Sequence, residues 1–123
     1  MLQGALVAES LRVGAVFESP NLTLTRVVRR DAAGSATVEQ PEVWTFLEFV
    51  ADDEVAGELA DALAAVLLAG GGWYASFTVG DEHVVVFAGR VFRHRRGDRS
   101  ARAEVEAYAR EMGVPAHQMD WGE

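Results

Sequence analysis

The sequence predicts an α+β fold, and three observations carry that prediction. Residues 73–79 alternate Trp73, Ala75, Phe77 and Val79 with Tyr74, Ser76 and Thr78, the period of a β-strand. Gly80 and Asp81 then separate this run from a β-branched run, Val84 to Val86, so the two pair as a hairpin in which Gly80 supplies the positive φ of a type II′ turn. Finally, Val55, Leu59, Leu63, Val66 and Leu67 recur at spacings of three and four, the stripe of an amphipathic helix. The order strand, helix, strand, strand, helix over residues 43–112 has the spacing of a ferredoxin-like two-layer sandwich. That arrangement has a mostly antiparallel sheet, here of about five strands, with both helices on one face.

Taken in order, residues 5–14 fit neither period cleanly and read as strand in preference to a frayed helix. Gly14 and the cluster Ser19, Pro20, Asn21 break the chain before a half-solvated strand over residues 22–30, in which Leu22, Leu24 and Val28 are expected on one face. Residues 31–41, rich in Ala, Gly, Ser and Thr, read as a loop. In residues 43–51 Trp44, Phe46 and Val50 share one face and Leu47 and Phe49 the other, so a central strand is expected. Asp52, Asp53 and Glu54 stand where the first helix would begin, where carboxylates satisfy free N–H groups and oppose the helix dipole.

After the hairpin, Ala88 and Gly89 are expected to form a bulge in a continuing strand. Gly97, Asp98, Arg99 and Ser100 start a second helix with the apolar stripe Ala101, Val105, Tyr108, Ala109 and Met112. Gly113 fits the left-handed residue beyond its end, and Pro115 prevents continuation. Trp121, so near the terminus, is expected to pack back on the body.

At 123 residues the chain corresponds to one domain, residues 1–123, able to bury roughly two thirds of its unfolded surface. It has no cysteine, which excludes thiol catalysis, disulfides and thiolate metal sites. The first ten residues have no basic leader and their apolar run is interrupted by Glu9, so neither a secretory signal nor a membrane anchor is read there, and a cytoplasmic location is expected. The formal net charge is −8, and none of the basic side chains is lysine. Such a balance repels nucleic acid unless a local basic face offsets it.

With both helices on one face, the other face of an apolar strand such as residues 43–51 needs a cover. A homodimer packed sheet to sheet, the N-terminal segment folded over it, or a small-molecule cleft lined by Trp44 and Tyr74 would each provide one. Glu48 sits mid-strand among apolar neighbours, where desolvation would raise its pKa and suit it to acid or base catalysis; an Arg-paired or solvated position is the structural alternative. His83, with Asp81 two residues earlier, is a second acid/base candidate. His83, His94 and His117 lack metal-site spacing, and no metal or other cofactor is implied. Arg90, Arg93, Arg95, Arg96, Arg99 and Arg102 crowd a strand end and a helix start, and of these Arg93, Arg95 and Arg96 are the candidate anion-binding residues. Gly70 to Gly72 follow a helix and precede a strand, the reverse of a phosphate-binding loop.

GWYASF from residue 72, VVVFAGRVFRHRRGD from residue 84 and GVPAHQMDW near the end resemble small uncharacterised actinobacterial proteins of about this length. The resemblance implies a single bacterial cytoplasmic domain and brings no activity or catalytic residue with it. The combined expectation is a homodimeric binding or accessory protein taking a protein partner or a small anionic ligand, with no nucleic acid or membrane role. Two rivals are a cofactor-independent enzyme using Glu48 or His83, and an acidic inhibitor of a basic protein.

Overall fold

A computed structural model describes residues 1–19 and 21–122. Six strands form one sheet: β1 (Leu2–Val7), β2 (Thr23–Asp31), β3 (Val43–Ala51), β4 (Ala75–Val79), β5 (Glu82–Phe87) and β6 (Arg90–Arg95). Helix α1 (Ala56–Val66) joins β3 to β4, and α2 (Arg99–Glu111) follows β6. The spatial order is β2-β3-β1-β4-β5-β6, and every neighbouring pair is antiparallel. Among the described residues no helix is long and apolar enough to cross a membrane.

The α+β class therefore holds, and three details of the expected sandwich change. There are six strands, because Ala88 and Gly89 form a second two-residue hairpin and not a bulge: Phe87 pairs with Arg90, and Gly89 takes φ +70°. The N-terminal strand, which lies outside residues 43–112 of the expected sandwich, inserts between β3 and β4, with Ala5 opposite both Glu48 and Ser76. Finally, the helices lie on opposite faces. Val84 and Val86 pack with Leu59 and Leu63 of α1, whereas Val85 and Phe87 pack with Val105 and Ala109 of α2. Successive side chains of one strand point to opposite faces, so this division puts a helix on each side of β5. Double coverage is why five consecutive residues of β5, His83 to Phe87, are buried.

The α1 face is sealed by Leu2, Leu6, Phe49, Ala51, Phe77 and Val79, with Leu11, Phe17 and Leu22 of the intervening segment packed alongside. Gly4 is needed there because a Cβ would lie 2.5 Å from the Ser76 carbonyl oxygen and 2.9 Å from Phe49 Cζ. At the start of α1 the expected carboxylate caps are absent. Asp53 to Val55 make a 3₁₀ turn without a side-chain cap bond, and Asp53 instead meets the N-terminal amino group at 3.2 Å. In β2 a bulge between Leu24 and Arg26 reverses the pattern, so Leu24 sits opposite Phe49 on the α1 face and Val28 opposite Phe46 on the other.

Helix α2 matches its sequence signals. Asp98 accepts a hydrogen bond from the Ala101 N–H at 3.0 Å, and Gly113 takes φ +91° just past the helix end. Trp121 returns to the body and is buried, with the Arg102 guanidinium carbon 4.8 Å from its ring centre.

Candidate functional site

The strand register maps the α2 face of the sheet row by row. One row reads Arg26, Glu48, Ala5, Ser76, Val85, Phe92; the next reads Val28, Phe46, Val7, then Phe87 and Arg90. Helix α2 covers the β5 and β6 end of these rows. Over β1 and β4 the side chains Ala5, Ser76 and Thr78 are small or short, and among the described residues no helix or strand lies above them, so the sheet itself becomes the floor of a trough.

The trough is walled on one side by Phe46 and Glu48 of β3 with Arg30 of β2, and on the other by Tyr74 and the C-terminal segment carrying Asp120 and Trp121. Trp44, Trp73, Ser35, His117 and Gln118 close its deep end, which encloses about 350 Å³. That end is braced by a buried aromatic cluster, with Trp44 and Trp73 ring centres 5.2 Å apart. It is also braced by a buried amide network: Gln118 donates to the Ser35 carbonyl at 2.8 Å and to Gln40 Oε1 at 2.9 Å, and Gln40 donates to the Gly71 carbonyl at 2.8 Å. A satisfied buried network of this kind fixes a wall in one position.

The polar groups of the trough differ in whether they are already occupied. Tyr74 Oη lies within hydrogen-bond reach of the Gln118 carbonyl and 2.6 Å from Asp120 Oδ1. Burial, reinforced by the Asp120 carboxylate, holds the Tyr74 hydroxyl far above the usual tyrosine range, so it keeps its proton. Asp31 accepts from the Ala33 N–H at 3.0 Å. Arg30 is the contrast: its guanidinium rests 5.5 Å from the Phe46 ring centre and forms no ion pair among the described residues.

The sequence-predicted site residues separate on this map. Trp44 and Tyr74 line the trough. Glu48 stands on its shallower rim, with the Arg26 guanidinium 3.3 Å from its Oε2, which is the Arg-paired alternative. Arg93 pairs with Glu82 at 3.0 Å and Arg95 with Asp81 at 3.6 Å, while Arg96 is exposed at the β6 end; none of the three lines the trough. His83 is buried beneath the C-terminal segment, in register with His94. Among the described residues no three His, Asp or Glu side chains are placed to hold a metal ion.

Arg30, Ser76 and Asp120 are trough residues that sequence reasoning missed. Arg30 read as one more solvent-facing residue of an alternating strand, and nothing local distinguishes it from Arg29. No family model, curated protein or solved structure matches the chain.

Proposed function

We propose that the protein is a small-molecule binding module whose trough takes a flat, largely apolar molecule bearing one anionic group. The observation that carries this reading is a floor of small side chains between aromatic walls, with Arg30 unpaired at the rim. A planar body fits against Ala5 and Ser76, its edges meeting Phe46 and Tyr74, and the anionic group reaches the guanidinium. The deep end, at about 350 Å³, falls at the small end of the roughly 300–1,000 Å³ typical of small-molecule sites. Among the described residues Arg30 has no ion-pair partner, while Asp31 and Asp120 already accept hydrogen bonds from within the protein.

The enzyme rival draws less support. Glu48 is ion-paired at the rim, and His83 lies under the C-terminal segment, away from the trough floor. The homodimer expected from the sequence rested on an uncovered apolar face; α2 and the C-terminal segment take up its β5 and β6 end, so the binding module is read as a monomer.

The test is tryptophan fluorescence titration with 2-naphthoate, reading Trp44, Trp73 and Trp121, all of which line the trough. Saturable quenching in the wild type, lost in Ala5→Leu at unchanged thermal stability, is the expected result. Absence of saturable quenching up to millimolar probe, or quenching unaffected by Ala5→Leu, overturns the reading.

A further inference from the structure

We propose that the C-terminal segment over residues 119–122 is an acid-released strap, opened when His83 gains a proton beneath it, with the Gln118 amide network as its fixed end. The strap forms one wall of the trough. It is tied down from both sides: Tyr74 holds Gln118 and Asp120, and Arg102 of α2 holds the Met119 carbonyl at 3.2 Å and the Gly122 carbonyl, while stacking on Trp121. Below it lies His83. A Cβ added at Gly122 would be 3.1 Å from His83 Cε1, so the strap rests directly on the imidazole.

His83 is only 4% exposed, and neither ring nitrogen has a hydrogen-bond partner. The surroundings are arranged for a neutral ring. From β6, the His94 ring centre lies 5.6 Å away, with its own Nε2 also unpartnered. Arg96 beyond β6 and Arg102 of α2 both add positive potential at His83. The opposing residue on β4 is Thr78, which carries no charge. From the strap come the Trp121 indole, whose N–H is unpartnered, and Asp120, whose carboxylate is engaged by Tyr74.

The remaining carboxylates nearby are also committed. Asp81 faces Arg95, Glu82 faces Arg93, Glu106 faces Arg102, and Asp98 caps α2. Among the described residues, protonation thus creates a buried cation with two unmet N–H donors and no carboxylate bonded to it. Lifting the strap returns the ring to water and relieves all of these costs at once.

Burial first, then His94, Arg96 and Arg102, lower the His83 pKa from its ordinary 6.5. The closed strap therefore binds fewer protons than the open one between that lowered value and 6.5, and closure weakens as pH falls below 6.5. The release itself stands on this geometry alone. Its consequence, a trough that loses its ligand in acid, rests on the binding reading above.

The experiment is amide hydrogen exchange on the full chain at about pH 7.5 and about pH 5.5, corrected for the intrinsic pH dependence of exchange. Protection over residues 119–122 is expected to fall at least roughly tenfold at the lower pH while β5 stays protected, and His83→Phe is expected to keep the strap protected at both. Should that variant fail to fold, the wild-type His83 imidazole resonance gives the same test, since its titration midpoint must coincide with strap opening. Equal strap protection at both pH values, loss that persists in His83→Phe, loss of β5 together with the strap, or a mismatch of the two midpoints overturns the proposal. Naphthoate titration at the same two pH values separates the readings: strap release with unchanged probe affinity sinks the trough assignment and leaves the switch standing.

Discussion

Replacing Arg30 with Gln removes a charged group of the trough that has no ion-pair partner among the described residues, and its effect can be worked out in advance. A hydrogen bond to a charged group contributes about 1.5–3 kcal/mol. Because Arg30 is exposed to solvent, the low end applies, and about 1.4 kcal/mol corresponds to a tenfold rise in Kd. The stack on Phe46 exists with and without ligand, so its loss, ~0.5–1 kcal/mol, falls on folding stability and not on affinity. Arg30→Gln should therefore weaken 2-naphthoate about tenfold and leave its neutral analogue 2-naphthalenemethanol within about twofold.

Salt supplies an independent check. Raising ionic strength from 0.1 M to 1 M shortens the screening length from about 10 Å to about 3 Å, so wild-type affinity for naphthoate should fall and that of the variant should not. The assay is the same fluorescence titration, with thermal melting to confirm that both proteins are folded. Equal losses for the two probes, or no loss for either, would refute the role of Arg30 as the anion contact.

Other expectations test the scaffold. A methyl group at Gly113 meets nothing nearer than 3.8 Å, so Gly113→Ala should cost only the left-handed penalty, about 1 kcal/mol in urea denaturation. At Gly72, also left-handed at φ +73°, the added carbon would sit 2.5 Å from the Gly113 carbonyl oxygen, and a larger loss of about 2–4 kcal/mol is expected; equal losses at the two sites would contradict the close packing of these loops. Glu9 accepts the Thr45 N–H at 2.6 Å and the Thr45 hydroxyl at 2.9 Å, and although burial pushes its carboxyl up, these bonds prevail and leave it below 4.5. Its stabilisation is therefore present above pH 4.5 and lost as pH falls through the lowered value, so Glu9→Gln should flatten the acid limb of a stability profile; an unchanged limb would count against this. Light scattering across a dilution series should return the monomer mass of 13.3 kDa, and a persistent dimer would mean that the trough face is used in self-association.

Both edge strands bear on that last expectation. Arg26, Arg29 and Arg30 lie on β2, and Arg90, Arg93 and Arg95 on β6, so six of the 11 basic side chains guard the two open edges of the sheet. Like charges along an edge oppose pairing with a second copy. Part of the arginine crowding that suggested an anion site in the sequence is thus the border of a sheet, and Arg30, the anion contact proposed for the trough, lies on the opposite edge.

Local pattern alone determined the hairpin at Gly80, the Asp98 cap, the Gly113 termination and the stripe of α1, because each depends on neighbours a few residues away. The same pattern announced that Trp121 would pack back, and Tyr74 and Arg102, distant in sequence, decided where. It also identified Trp44 and Tyr74 as aromatics in need of a cover. Tertiary structure alone decided where β1 goes: Gly4 and Ala5 blur its alternation, and they are small because Phe49 and Phe77 crowd one side and the trough floor lies on the other. The bulge in β2 reversed the faces of Leu24 and Val28, which no period can announce. The side of the sheet that α2 takes is likewise invisible in its own sequence, since an amphipathic helix specifies that it must pack and not on which face. From that choice follow the half-open sheet, the unpaired state of Arg30 and the burial of His83, because all three depend on what lies above a strand and not on the strand itself.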